Sequence, residues 1–261
     1  MRVAVAQISC ALGDPETNLS KVRDFSQRAK EVGAELILFP EMTDTGYSMP
    51  VIQKQASYWK SGFVAGVRET AQRLSMAIVS GVSERDGSSI YNSQVLVDSS
   101  GNITAKYRKT HLYAVAPVEE HTCFTPGDTL ESFTVGRLCF GLSICYDLRF
   151  PEIYRKLVTE HNVGALLISS AWPFPRVEHF CVLAKARAIE NQSYVIASNR
   201  VGKDDGIWFC GNSAIIDPRG VTVAAASADR EELICADISQ ELVQSVRQRM
   251  QSLAHRRRDL Y

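Results

Sequence analysis

Cys145 is the residue of this sequence whose type and position are best suited to covalent chemistry. It lies in the segment GLSICYDLRFPE (141–152), after an apolar run typical of a strand and before a helix start marked by Pro151. A cysteine at such a strand-to-helix turn can present its sulfur near unpaired backbone N–H groups and the positive end of a helix dipole, which favour a thiolate and an oxyanion. The alternative is that Cys145 is one more buried apolar cysteine, as free cysteines usually are.

Two residues that can support a nucleophilic cysteine also follow apolar strand-like runs. Glu41 lies in LILFPEM (36–42), and Lys109 lies in AKYRKTHL (105–112). Because α/β folds gather their sites at the ends of strands, both residues are expected to converge on Cys145. Glu41 would take the thiol proton and later give it to a leaving amine. Lys109 would lower the pKa of the thiol and, with the backbone N–H after Cys145, hold the oxyanion of a tetrahedral intermediate.

Each of these residues also has a purely structural interpretation. Glu41 can cap or solvate a loop, and Lys109 belongs to a basic cluster of the kind that usually forms a solvated face. A Cys–His pair with His111 or His179 as the base is the competing catalytic arrangement. Neither histidine follows a strand as cleanly as Glu41 does, so the sequence favours the Glu–Lys–Cys set without excluding the other.

Strands and helices alternate along the chain, and the pattern of the first half recurs in the second. The predicted strands are 3–9, 35–39, 77–82, 91–98, 103–108, 133–135, 138–144, 164–169, 194–198, 211–217, 221–226 and 232–237. The predicted helices run from Pro15 to about Gly33, over 61–75, 151–160 and 176–191, and onward from Ser239. This alternation favours a layered α/β fold with helices covering the sheet faces. No change in composition separates two domains, so we predict one domain over 1–261, with 255–261 as a C-terminal tail.

Composition excludes several classes of function. The 261 residues include 45% hydrophobic and 22% charged side chains with a formal net charge of zero, which is typical of a globular protein without a surface for nucleic acid. No apolar run reaches the roughly 18 residues of a membrane span, and the N-terminus reads directly into a strand rather than a signal peptide. The seven cysteines contain no CxxC pair, and the five histidines have no metal-ligand spacing. We therefore expect a reducing cytoplasm, no disulfide framework and neither a metal nor another cofactor.

The three reactive segments resemble those of the nitrilase superfamily, the carbon–nitrogen hydrolases. The family's strand–Pro–Glu, YRK-x-HL and CYDLRFPE motifs are similar to residues 39–41, 107–112 and 145–152, in the same chain order. The resemblance extends to RAIENQSYVIASNRVG (187–202), NSAIIDPRG (212–220) and the terminal RRRDLY. It covers essentially the whole chain.

The resemblance implies a fold and a catalytic set. The family fold is a four-layer α–β–β–α sandwich, and its triad corresponds here to Glu41, Lys109 and Cys145. The family also carries a second glutamate upstream of a Pro-Gly pair, which corresponds to Glu120, or to the adjacent Glu119 if the count slips by one residue. Its implied role is to orient Lys109 or to position the substrate.

The resemblance also implies self-association. The family commonly dimerises through helices on one face, so the helices near 151–160 and 176–191 are expected to bury an interface, unless they only cover the sheet of a monomer. The basic tail, with three arginines and Tyr261 at its end, is similar to family tails that lie across the partner subunit, unless it is a frayed terminus. The expected assembly is a homodimer or a higher homo-oligomer, with no nucleic-acid or membrane partner.

Within the family, CYDLRFPE (145–152) and SSAWP (169–173) look most like the small omega-amidases, which hydrolyse 2-oxo acid amides such as 2-oxoglutaramate. True nitrilases usually carry Cys-Trp-Glu where this chain has Cys145-Tyr146-Asp147, so nitrile hydrolysis is not expected. The implied reaction is amide hydrolysis through a thioester with release of ammonia. N-carbamoyl compounds, deaminated glutathione and simple aliphatic amides stay open as substrates, as does a catalytically idle member that acts as an interaction protein.

The expected substrate-binding residues are Tyr146, Arg149 and Trp172. A short 2-oxo acid amide needs a cation for its carboxylate, and Arg149, Arg176 and Arg200 are the candidates, although each can equally be a structural ion-pair partner. Trp172 follows a strand end and can either wall the pocket or fill the core. The loops near 43–60 and 113–130 are expected to line the pocket and to set specificity.

Overall fold

The structure is a computed structural model that describes residues 1–260, so Tyr261 lies outside the described residues. The strands are β1 (Arg2–Gln7), β2 (Leu36–Leu38), β3 (Ala77–Asp86), β4 (Ser89–Val97), β5 (Ile103–Arg108), β6 (Ser132–Val135), β7 (Leu138–Ile144), β8 (Ala165–Ser170), β9 (Tyr194–Asn199), β10 (Lys203–Asp204), β11 (Ile207–Trp208), β12 (Ala214–Ile216), β13 (Thr222–Ala225) and β14 (Glu232–Asp237). The α-helices are α1 (Pro15–Glu31), α2 (Met49–Gln55), α3 (Phe63–Leu74), α4 (Pro151–His161), α5 (Val177–Asn191) and α6 (Gln240–Arg249).

Most strands belong to two six-stranded sheets that share one pattern of strand directions. The first sheet has the order β14-β1-β2-β3-β4-β5, and the second has the order β6-β7-β8-β9-β12-β13. In each sheet the first pair is antiparallel, the next two pairs are parallel and the last two are antiparallel. The predicted recurrence of the first half in the second is therefore confirmed, although β14 crosses back to complete the first sheet.

The two sheets pack face to face, with helices on both outer faces. Side chains alternate across a strand, so in β1 Val5 faces the second sheet while its neighbour Ala4 faces α1 and α3. The core between the sheets continues from Leu38 through Phe140 to the buried faces of α4 and α5. A second cluster joins the first sheet to α1 and α3, through residues such as Phe25. The four-layer α–β–β–α sandwich is confirmed.

Helix α1 illustrates how local sequence signals fix an element. The Asp14 carboxylate caps it by accepting the Thr17 N–H at 3.0 Å, a contact worth about 1 kcal/mol, and Pro15 occupies the first turn. Gly33, with φ of 81°, follows its end in the left-handed region that glycine adopts readily. At 17 residues α1 is the longest helix of residues 1–260, and none of their helices is both long and apolar enough to cross a bilayer.

The sequence missed three short elements, α2, β10 and β11. Helix α2 lies within the segment 43–60 and has Ile52 as its only buried residue, so it shows little amphipathic periodicity. Strands β10 and β11 contribute two residues each to an isolated hairpin. Elements of this length carry too few residues for a hydrophobic period to be recognised.

Candidate active site

Four residues predicted for catalysis come together at one end of the sandwich. Glu41 follows β2, Lys109 follows β5 and Cys145 follows β7, while Glu120 lies in the loop between β5 and β6. The Lys109 ammonium nitrogen lies 2.9 Å from Glu41 Oε1 and 2.7 Å from Glu120 Oε1. Lys109 and Cys145 line the same pocket. All four side chains are buried, so their charges interact with little screening by water.

The backbone around Glu41 is shaped by close contact with the neighbouring strand. A Cβ atom at Gly81 in β3 would lie 2.5 Å from the Glu41 Cα and 2.5 Å from the Pro40 carbonyl oxygen, so only glycine lets the two backbones approach this closely. Met42 then takes φ of 50°, which turns the chain away from β2. The Glu41 carboxylate accepts hydrogen bonds from Lys109, from Asn92 Nδ2 at 2.7 Å and from the Ala171 N–H at 2.8 Å.

Lys109 is held as a buried ammonium by the two carboxylates. Burial by itself lowers the pKa of a lysine, but the charges of Glu120 and Glu41 more than reverse that effect and hold the pKa of Lys109 well above its ordinary value. Its backbone is fixed by hydrogen bonds from its N–H to the Asn92 carbonyl and from the Gly127 N–H to its own carbonyl, both 2.8 Å. Lys109 is therefore a permanent positive charge beside the pocket.

The structure distinguishes Glu120 from Glu119. Glu119 is exposed and takes φ of 39°, whereas Glu120 opens a short 3-10 helix and is fully buried. Besides Lys109, the Glu120 carboxylate accepts hydrogen bonds from the Tyr47 hydroxyl at 2.6 Å and from the Tyr113 N–H at 2.6 Å. Glu120 is therefore the second glutamate that contacts the lysine.

We expect Glu120→Gln to lower kcat of amide hydrolysis at least about 10-fold, because it weakens hydrogen bonds between charged groups that orient Lys109. Glu119→Gln makes the same chemical change at the adjacent exposed position and should leave kcat within about twofold. Ammonia release by the two purified variants checks this. Equal losses in both variants would contradict the assignment of Glu120.

Cys145 begins a 3-10 helix of its own, Cys145–Arg149, and helix α4 starts only at Pro151. The residue has φ of 43°, a left-handed conformation that costs a non-glycine residue on the order of 1–3 kcal/mol and is found mainly where the surroundings enforce it. Helix α4 therefore starts where Pro151 predicted it, and five residues separate its first residue from the cysteine.

The electrostatics of Cys145 also differ from the expectation of a stabilised thiolate. Burial raises the pKa of the Cys145 thiol well above its usual range, and the carboxylates of Glu41 and Glu120 add to the effect. The Lys109 ammonium and a hydrogen bond from the Ala171 N–H act in the opposite direction without overcoming it. The resting sulfur is a thiol at neutral pH, and it needs a base at the moment of attack.

Neither histidine of the competing Cys–His arrangement is hydrogen-bonded to the sulfur among residues 1–260. The His111 ring lies 2.9 Å from Asp147 Oδ1 and stacks on Phe150, and His179 Nδ1 lies 3.2 Å from the Arg149 guanidinium. Asp147 is fully buried and braces the cysteine turn by accepting the Ile144 N–H at 2.9 Å. Both histidines therefore make contacts with residues other than Cys145.

The pocket above Cys145 has an empty volume of about 420 Å³ and contains all three predicted substrate-binding residues. Tyr146, Arg149 and Trp172 line it, and the Arg149 guanidinium carbon lies 4.8 Å from the centre of the Trp172 ring. Arg176 also lines the pocket, with its guanidinium carbon 5.9 Å from the centre of the Tyr113 ring. Both predicted specificity loops contribute, the first through Tyr47 and the second through Tyr113 and Val118.

Arg200, the third arginine considered for a substrate carboxylate, does not line this pocket. Its side chain is fully buried and forms an ion pair with Asp204 at 2.6 Å. It also lies 4.5 Å beneath the Phe209 ring. The alternative interpretation as a structural ion-pair partner is correct for Arg200.

Sequence reasoning missed three groups that contact the buried charges. These are the Asn92 side chain, the Tyr47 hydroxyl and the Ala171 N–H. Asn92 lies in a strand, and Tyr47 follows a glycine in a loop, so neither is marked by a reactive side chain. Only the position of Ala171 directly after the buried strand β8 offered a signal, since strand ends gather functional groups.

Comparison with known proteins gives a consistent result. The family model for carbon–nitrogen hydrolases matches residues 2–248. The 2-oxoglutaramate amidase of Bacillus subtilis (strain 168) is 33% identical over 260 residues, which cover 99% of this chain and 98% of that protein. The deaminated glutathione amidase of Mus musculus is 35% identical over 281 residues, which cover 99% of this chain and 84% of that protein.

A solved structure agrees with these relatives. An amidase of the nitrilase superfamily from Nesterenkonia AN1, in a mutant form, superposes with a TM-score of 0.87 at 27% identity, covering 100% of this chain and 95% of that one. The likeness therefore extends over both sheets and the helices that flank them.

Proposed function

The chain belongs to the carbon–nitrogen hydrolase family, and we propose that it works as a cysteine amidohydrolase in which Cys145 is the nucleophile, Glu41 the base and Lys109 the oxyanion donor. It is an amidase of the nitrilase superfamily, a hydrolase of C–N bonds other than peptide bonds. One observation carries the proposed roles: a buried ammonium, 2.9 and 2.7 Å from two carboxylates, shares a pocket with a thiol.

In the acylation half of the reaction, Glu41 removes the proton from the Cys145 thiol as the sulfur attacks the amide carbon. The raised thiol pKa means that this proton must be removed by a base within the site. The carbonyl oxygen becomes an oxyanion, which the Lys109 ammonium stabilises. Glu41 then gives its proton to the amide nitrogen, the C–N bond breaks, and ammonia leaves behind a thioester.

In the second half, water hydrolyses the thioester. Glu41 takes a proton from the water as the hydroxide attacks the thioester carbon, and Lys109 again stabilises the oxyanion. The C–S bond breaks, the carboxylic acid leaves, and the proton returns from Glu41 to the Cys145 sulfur. The sum is one amide and one water converted into one acid and one ammonia. Glu120 orients Lys109 throughout.

We propose a short 2-oxo acid amide, such as 2-oxoglutaramate, as the substrate. Arg149 and Arg176 line the pocket, and neither forms an ion pair with a carboxylate among residues 1–260. Two cations without acidic partners suit the carboxylate of such a substrate. The identity of 33% with a 2-oxoglutaramate amidase supports this substrate, and the identity of 35% with a deaminated glutathione amidase makes deaminated glutathione the second candidate.

A panel of substrates tests this choice. We expect ammonia release from 2-oxoglutaramate and 2-oxosuccinamate, slower release from propionamide and N-carbamoylputrescine, and little from a nitrile, because only the first two carry a carboxylate beside the 2-oxo group. Deaminated glutathione completes the panel, with release of cysteinylglycine instead of ammonia as its readout, and kcat/KM is compared across the panel. A preference for the carbamoyl compound would contradict the substrate proposal, and hydrolysis of none of these compounds would favour the non-catalytic interaction protein.

We further propose that the protein is a homodimer that uses the face formed by α4 and α5. Two apolar side chains of α5 point into solvent, Val182 at 59% exposure and Ile189 at 55%. Exposed apolar residues on one helix are typical of an interface. Light scattering of the wild-type protein should give twice the mass of one chain. The double variant V182E/I189E should give the mass of one chain. A monomeric wild-type protein would contradict this proposal.

The cysteines of the chain bear on the cellular compartment in which the protein works. All seven cysteines are free, which supports a reducing compartment such as the cytoplasm. We propose that 1–261 acts there as one domain. Recovery of the protein in an extracellular fraction of its cells would contradict the location.

A further inference from the structure

Two donors bridge the same pair of carboxylate oxygens in the buried site. Lys109 Nζ donates to Glu41 Oε1 at 2.9 Å and to Glu120 Oε1 at 2.7 Å. Asn92 Nδ2 donates to the same two atoms, at 2.7 Å and 3.1 Å. The four atoms form a closed ring in which nitrogen and oxygen alternate. Asn92, at 1% exposure, is buried together with the two glutamates that it bridges.

This ring makes the two oxygens of Glu41 inequivalent. A carboxylate oxygen offers about two lone pairs, and both of those on Oε1 are used by Lys109 and Asn92. Within residues 1–260, Oε2 accepts a single hydrogen bond, from the Ala171 N–H at 2.8 Å. One lone pair of Oε2 is therefore available. The Ala171 N–H also acts to lower the pKa of the Cys145 thiol, against the larger effect of burial.

We infer that Asn92 is a positioning residue that keeps Glu41 Oε1 occupied, so that Oε2 is the atom that exchanges the proton with Cys145. The inference rests on the proposed function, in which Glu41 is the base. It adds an atom-level assignment: the S–H bond breaks as an O–H bond forms at Oε2, and the same proton later passes from Oε2 to the leaving nitrogen.

The orientation of the Asn92 amide is fixed by charge. A flipped amide would place Oδ1 against two carboxylate oxygens, which repel it, whereas Nδ2 donates to both. In the observed orientation Oδ1 has no hydrogen-bond partner among residues 1–260, although it is buried. Leaving the buried Oδ1 without a hydrogen bond costs free energy. The two hydrogen bonds that Nδ2 donates to the carboxylates must therefore stabilise the site by more than this cost.

The inference predicts a shift in pH dependence. A hydrogen bond donated to a carboxylate favours its charged form, so removing the Asn92 Nδ2 donor should move the acid limb of the kcat/KM profile to higher pH. Five charged or titratable groups on the surrounding elements face Glu41: Lys109 after β5, Glu120 in its 3-10 helix, Cys145 after β7, Tyr47 in the loop after β2 and Arg200 after β9. None of these groups is changed by a substitution at Asn92.

The test compares Asn92→Ala and Asn92→Asp with Gln94→Ala. Gln94 lies two residues further along β4 on the same face, is fully buried and also has an unpaired Oε1, but its amide donates to Ser169 Oγ at 2.9 Å instead of to a glutamate. For Asn92→Ala we expect kcat/KM to fall about 10- to 100-fold, and the acid limb of its pH profile to move up by about one pH unit. KM should change less than about threefold, since Asn92 does not line the pocket.

The control variant and the isosteric variant make the test decisive. Gln94→Ala should lose stability without moving the acid limb, whereas Asn92→Asp, which preserves shape and adds a negative charge, should move the limb at least as far as Asn92→Ala. An unchanged limb in a folded Asn92 variant would overturn the inference. If neither variant folds, a crystal structure of the wild type decides it: Asn92 Nδ2 within 3.5 Å of both Oε1 atoms supports the inference, and a longer distance to either refutes it.

Failure of this inference is distinguishable from failure of the proposed function. A wild-type enzyme that hydrolyses no compound of the substrate panel contradicts the function itself. A wild-type enzyme that is active, together with an unchanged acid limb in the Asn92 variants, contradicts only the assignment of the proton to Oε2.

Discussion

Cys145→Ala should remove turnover while leaving the protein folded. The substitution deletes the sulfur proposed as the nucleophile, so we expect kcat to fall at least about 10,000-fold, as is usual when a covalent nucleophile is removed. Alanine fits the space left by a thiol, and no hydrogen-bonded partner is left charged and unpaired, because the resting sulfur is neutral. Ammonia release and a thermal unfolding curve measure the two parts of the prediction.

Cys10 provides a matched control for this substitution. Its exposure of 7% equals that of Cys145, and burial likewise raises its pKa, to about 11. It does not line the pocket. Cys10→Ala should therefore change stability by a similar small amount and leave kcat within about twofold. Retained turnover in Cys145→Ala would refute the nucleophile assignment.

Glu41→Gln should lower kcat about 100- to 10,000-fold, the range expected for loss of a general base. The resting thiol cannot ionise readily in this buried site, so without Glu41 the sulfur loses its proposed proton acceptor. Stability should also fall, by about 1–3 kcal/mol. Either orientation of the new amide places its NH₂ group against a donor, which is the Ala171 N–H on one side or Lys109 and Asn92 on the other.

Glu84→Gln is the control that distinguishes the effect of losing a general base from the effect of losing a buried charge. It is 5% exposed and accepts hydrogen bonds from Lys106 and Arg108, so it resembles Glu41 in burial and ion pairing. It lies outside the pocket. Glu84→Gln should cost comparable stability and leave kcat within about threefold. A similar loss of kcat in both glutamine variants would contradict the role of Glu41 as the base.

The positions of the strands along the chain and the three residues proposed for catalysis could be predicted because both depend on patterns that are local in sequence. Apolar runs ending in a reactive residue identify Glu41, Lys109 and Cys145 without any knowledge of the fold, since the ends of strands in α/β proteins converge. Long strands and helices such as α1 have enough residues for their periods to be read. The four-layer arrangement itself came from the resemblance to a family.

The inner contacts of the site could not be predicted, because they depend on which side chains face each other across two sheets. Asn92 is an ordinary polar residue within β4, and nothing in its neighbourhood indicates that its amide reaches Glu41. Arg200 shows the opposite case, since a cation near a strand end was a reasonable ligand candidate until its ion pair with Asp204 was visible.

The protonation state of Cys145 also could not be predicted from the sequence. A neighbouring lysine and a helix start both favour a thiolate, but burial and two carboxylates outweigh them in the folded protein. Their balance depends on distances between residues that are far apart in the chain. The consequence is mechanistic, because a neutral thiol needs a base in the first step, which is the role proposed for Glu41.

The most direct measurement of the central claim is peptide mapping by mass spectrometry of the wild-type enzyme, quenched with acid during turnover of its best amide substrate. The proposed mechanism predicts an added mass equal to the substrate less ammonia on the peptide that contains Cys145, removable by hydroxylamine and absent from Cys145→Ala. An acyl group found on a different residue, or ammonia release by Cys145→Ala at the wild-type rate, would contradict it.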